Sequence, residues 1–150
     1  MTTSYIQSAA GSTNPVLTLR VSGVSGNLVI PTLQDVTINN ANDVFTWSQL
    51  NESAKLQVPT TSTNSISTNI VVENLSFFGN VSATANSAAR LGLLGCSVEK
   101  TELLFNINIG SGKTVSGTGY VTGLAPTVSA DSPVWVTPVT ITVSGEYTFS

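Results

Sequence analysis

The chain has 150 residues, enough for one domain with its own core. Only 9% of them are charged, against roughly 25% in an ordinary soluble domain, while 41% are hydrophobic, a balance that excludes disorder. A net charge of −3, no histidine and five scattered bases (Arg20, Lys55, Arg90, Lys100 and Lys113) exclude a phosphate-gripping surface of the kind that binds nucleic acid.

Taken in order, residues 1–13 are small and polar and predict an N-terminal arm. Val16–Ser22 is a strand with Leu17, Leu19 and Val21 on one face. Gly23 and Gly26 punctuate a turn into Asn27–Ile30, which Pro31 ends. Asp35–Asn39 alternates as a short strand, and Asn39–Asp43 is a turn cluster. Val44–Leu56 fits two descriptions: Phe45 and Trp47 alternate like a strand, whereas Trp47, Leu50 and Ala54 fit a helical face. Val58–Asn64, rich in Thr and Ser without a period, predicts a loop. Ser65–Phe78 resumes the β pattern, with Ile66, Ile70, Val72 and Leu75 as core candidates. One helix is expected over Thr84–Leu94, from the spacing of Ala85, Ala88, Ala89 and Leu93, with Gly95 as its stop. Lys100–Ile109 and Thr114–Thr122 form a hairpin about Gly110-Ser111-Gly112, and a last strand runs within Val134–Gly145. Without an internal repeat or boundary, residues 1–150 read as a single, mainly β domain.

The chemical motifs are weak. Gly110-Ser111-Gly112-Lys113-Thr114 resembles the tail of a phosphate-binding loop, but the required earlier glycine is Ile107 and a strand, not a helix, follows. Without histidine there is no Ser-His-Asp or Cys-His pair. Glu99 and Glu102, offset by three, fall on opposite faces of a strand. No His cluster, Cys pair or Asp-rich loop offers a metal site, so no catalytic residue, cofactor or metal is expected. Cys96 reads as a small buried hydrophobe. Three Asn-x-Ser matches (at Asn51, Asn74 and Asn80) are what a chain rich in these residues produces by chance. Met1–Tyr5 lacks a basic segment followed by an apolar run, so no secretory leader is expected, and no stretch reaches the roughly 20 apolar residues of a membrane anchor. The sparse charge fits either an uncharged polar surface or one covered in an assembly.

Order and spacing in the second half resemble bacteriophage tail tube (major tail) proteins. The matching elements are Thr84–Leu94, Leu103–Ile109, Gly117–Thr122, the polar loop Ser129–Pro133 and Val139–Gly145. The resemblance implies a β-sandwich or barrel protomer with one flanking helix and a long loop. It further implies rings, usually hexameric, that stack into a conduit for genome delivery in the virion, the chain being made in the host cytoplasm. Implied partners are the chain itself, tape measure and tail-terminator or initiator proteins, a tail sheath in contractile members, and genomic DNA that passes without specific binding. The long loop is then the natural ring-stacking element, with Asn51, Glu52, Lys55, Leu56, Val58, Thr60 and Asn64 as its candidate residues. The alternative is a β-sandwich adhesin or carbohydrate-binding module using Trp47 or Trp135 as a sugar platform.

Overall fold

A computed structural model describes residues 16–30, 33–110 and 112–150; the expected arm over 1–13 lies outside them. Eight strands and two helices follow in the order β1 (Val16–Val21), β2 (Leu28–Ile30), β3 (Leu33–Trp47), β4 (Leu56–Val71), α1 (Asn74–Phe78), α2 (Ala88–Val98), β5 (Leu103–Gly110), β6 (Lys113–Leu124), β7 (Val136–Val143) and β8 (Thr148–Phe149). All strand pairs are antiparallel, and the sheet runs β2-β1-β5-β6-β7-β4-β3 with β8 beside β6. β7 and β8 are successive pieces of one path along β6: Val143 pairs with Gly119 and Thr148 with Ser116.

Period-2 alternation builds the core. Leu17 and Leu19 of β1, Phe105 and Ile107 of β5, Val121 of β6, Val139 and Ile141 of β7, and Ile66 and Ile70 of β4 point to one face and form a continuous buried cluster. Phe77, Ala88, Leu93 and Cys96 of the helices complete it. Burial and the nearby Glu99 push the Cys96 thiol up to about 11, as expected of an inert core cysteine.

The helical region differs from its sequence reading in three ways. Ser65–Phe78 is not one β run, because the chain leaves β4 at Val71 and coils into α1. The Glu73 carboxylate accepts from the backbone N–H groups of Ser76 (2.9 Å) and Leu75 (3.2 Å), which caps α1 and holds that carboxyl below its usual range. The main helix begins at Ala88 rather than Thr84, since Asn86 has φ 64° and Ser87 is the cap, its hydroxyl accepting from Arg90 N–H at 3.2 Å. Gly95 does not stop the helix, which runs on to Val98. The special glycine is Gly92, at φ 71° and ψ 175°, where the helix kinks. A Cβ there would lie 2.3 Å from Gly79 N and 2.7 Å from Phe77 O, so α1 and α2 meet backbone to backbone.

The expected β5–β6 hairpin is present, with Gly110 opposite Lys113. Lys113 already belongs to a strand, which removes the phosphate-loop reading of this turn.

Candidate functional site

The largest departure from the sequence reading is the expected loop over Asn51–Asn64. Residues 56–64 are strand, and the Asn39–Asp43 turn cluster is strand as well. Among the described residues, β4 pairs with β7 only from Asn64 to Val71, and beyond Asn64 its one partner is β3. The result is a two-stranded arm spanning residues 40–63, about 26 Å long from Asn64 to Leu56 at roughly 3.3 Å per residue. Every one of those residues is exposed except Trp47 and Leu56, which are half-buried. An isolated hairpin of this kind is marginal in water.

Even-numbered residues of β4 carry the core face outward as far as Ser62. Ile66 opposes Ile38, Asn64 opposes Asn40 and Ser62 opposes Asn42. A β-bulge opposite Asp43 puts its extra residue in β4, where Ser62 to Pro59 matches Asn42 to Val44. β3 therefore keeps its alternation, and the pairs Phe45–Val58 and Trp47–Leu56 lie on the face opposite the core, with the Asp43 and Thr61 side chains. The Phe45 and Trp47 rings stack at 5.8 Å and 27°. The arm therefore ends in a four-residue apolar plaque, with Phe45 58% and Val58 43% exposed. Amide and hydroxyl side chains separate this plaque from the core.

The base of the arm is fastened. Asn64 is buried; its amide donates to Gly145 O at 2.8 Å and accepts from the Asn40 amide. The Tyr147 hydroxyl lies 2.6 Å from Asn39 O and 2.8 Å from Ser65 O, sharing one proton between them, and burial raises its pKa. The Tyr147 ring meets Phe105 edge-on at 6.4 Å, which connects the fastening to the core.

Of the sequence-derived candidates, Asn51, Glu52 and Lys55 lie in the exposed turn between β3 and β4. Leu56 and Val58 belong to the plaque, and the Thr60 hydroxyl donates to Asp43 O at 3.2 Å. Asn64 is corrected from a loop residue to a buried pin. Sequence reasoning missed Phe45 and Trp47 as members; the paired alternations Phe45-x-Trp47 and Leu56-x-Val58 were the available signal.

The sheet face opposite the core is a carpet of hydroxyls and amides. Thr37 and Asn39 of β3, Ser65, Ser67 and Asn69 of β4, Thr140 and Thr142 of β7, and Tyr120 and Thr122 of β6 share it. Asp35 also lies on this face, and its carboxylate is engaged by Asn69 through N (3.0 Å) and Nδ2 (2.8 Å). At the end of the sheet farthest from the arm, the segment from Leu124 to Val136 exposes Val128, Val134 and Trp135. Among the described residues, no group of three or more His, Cys, Asp or Glu could hold a metal, and no helix is long and apolar enough to cross a membrane.

No family model matches the chain, and no curated protein matches it. Solved structures do. A chain from the tail of an empty gene transfer agent particle, determined with C6 symmetry, superposes at a TM-score of 0.68 over 91% of this chain and 95% of that one, at 13% identity. A chain of the six-fold symmetrised anti-feeding prophage baseplate gives 0.66 over 100% and 97%, at 11% identity. The SPP1 tail tube gives 0.63 over 91% and 76%, at 8% identity. At these identities the likeness is one of fold: the chain has the mainly β architecture of subunits from tails and tubes, as the resemblance in its second half implied.

Proposed function

We propose that the chain is a structural subunit of a phage-type tail tube, with no catalytic role. Copies close into rings, six to a ring, and the rings stack into a conduit for genome delivery in the virion. The observation that carries this reading is the arm: a ribbon exposed on both faces, ending in stacked aromatics, on a fold shared with subunits of six-fold assemblies. A head-to-tail contact closes rings about an axis and propagates along it. Long edge strands poor in charge are an aggregation liability in a monomer and become paired surface in a tube. The hydroxyl–amide face suits a wall along which DNA slides, because a basic wall would exchange counterions and hold it. Tape measure, terminator and initiator proteins are the further partners of this reading, with a sheath in a contractile tail. Residues 1–150 act as one domain, and the arm is its ring-stacking element.

Negative-stain microscopy of concentrated protein tests the reading, with rings or tubes expected. A strict monomer at all concentrations, unmoved by tail initiator proteins, overturns it. The carbohydrate-binding alternative draws on Trp135, which is 51% exposed; a blank glycan screen removes it.

A further inference from the structure

Resting on the tube reading, we propose that the apolar plaque at the arm tip seats on the Trp135 loop of a second copy in the adjacent ring, with Lys55 against Asp131. The two surfaces lie at opposite ends of one strand path. β4 begins at Leu56 in the plaque and ends at Val71, which pairs with Val136 beside Trp135. Trp135 O also accepts from Val72 N at 2.9 Å, which fixes the loop to that end of the sheet. Different surfaces at opposite ends of a subunit make a contact that cannot close on itself, so it propagates along the strand direction.

The chemistry of the two surfaces matches. Phe45 and Trp47 on one side and Trp135 with Val134 on the other are the large apolar groups that concentrate binding energy at interface centres. Charges belong at the rim. Lys55 is the arm's one base, and Asp131 is the one charged group between Leu124 and Val136. Of the arm's two acids, Asp43 already accepts from the Thr61 hydroxyl at 2.9 Å, while Glu52 lies in the turn with Lys55. The loop supplies no base to meet either acid, which leaves Lys55–Asp131 as the attractive pair.

The test uses the full chain under conditions where wild type forms tubes, with pelleted protein and micrographs as readouts. Trp135→Ala and Lys55→Glu should each cut pelleted tubes about tenfold or more while rings remain and melting is unchanged. The charge reversal Lys55→Glu with Asp131→Lys should recover most of the lost assembly. Val81→Ser, on an apolar residue 82% exposed elsewhere on the surface, should change nothing. Independently of any loss of fold, copies carrying Val58→Cys mixed with copies carrying Val134→Cys should join through a short bis-maleimide. Cys96 is buried and should stay silent. Tubes of normal yield from Trp135→Ala, or no cross-link between the two cysteine copies in assembled tubes, overturn the acceptor assignment and leave the tube reading standing. A wild-type chain that forms no tube under any condition overturns both.

Discussion

Strand β4 passes through two environments. From Asn64 to Val71 it is flanked by β3 and β7, and Asn64, Ile66, Thr68 and Ile70 are all buried. From Leu56 to Thr63 it has β3 alone among the described residues, and all but Leu56 is exposed. The backbone geometry is continuous while the energetics are not. One half contributes to folding of the chain; the other contributes almost nothing to it and presents surface. Body substitutions should therefore be read by melting and arm substitutions by assembly.

The largest effect expected is in the body. Phe105→Ala, at a site 2% exposed, should cost about 3–5 kcal/mol and lower the melting temperature by roughly 10 °C for a chain of this size. Gly92→Ala should cost about 3 kcal/mol, from left-handed backbone strain and a clash with Gly79 and Phe77 that side-chain repacking does not relieve. At the junction, Tyr147→Phe removes the bond to Asn39 O and Ser65 O and should cost about 1 kcal/mol. Faster hydrogen exchange confined to the arm base should accompany that loss. In the arm itself, Phe45→Ser should move monomer melting by less than about 0.5 kcal/mol yet abolish tubes in the pelleting assay. A large loss of monomer stability there would break the division between the two halves.

Alkaline pH separates body from arm in another way. Both Cys96 and Tyr147 have folded pKa values raised by burial. Each favours the protonated native state, so their contribution is intact below the ordinary thiol and phenol values and is lost as pH rises through the folded ones, about 11 for Cys96. Melting temperature should hold up to about pH 8.5 and then fall, and base-induced loss of the Tyr147 bond should loosen the arm.

The body was legible from sequence because its strands alternate without interruption. Leu17 and Leu19, which share a face, and the core candidates Ile66 and Ile70 are buried, whereas the candidate Leu75, in α1 rather than a strand, is exposed. The arm was not, for two physical reasons. Its strands bury neither face, so Ser, Thr and Asn replace the apolar half of the pattern, and a ribbon of that composition reads as loop. The bulge opposite Asp43 also shifts the parity of β4, so Ser65 and Val58 share a face although their numbers differ in parity. The elbow between α1 and α2 was hidden because Gly92 and Gly79 act through a backbone-to-backbone approach, a tertiary fact with no local signature. The β8 segment is two residues long and defined only by its partner β6.

Ionic strength should matter little to the hydroxyl–amide face. The carboxylates that reach it are already held, Asp35 by Asn69, Asp43 by the Thr61 hydroxyl and Glu102 by the Tyr120 hydroxyl. If this face lines the proposed conduit, it carries few condensed ions to exchange with a passing polyanion, and added salt has little there to screen. Friction along it would then be set by water exchange at threonine, serine and asparagine side chains, and the speed of transit would be nearly the same in dilute buffer and in brine.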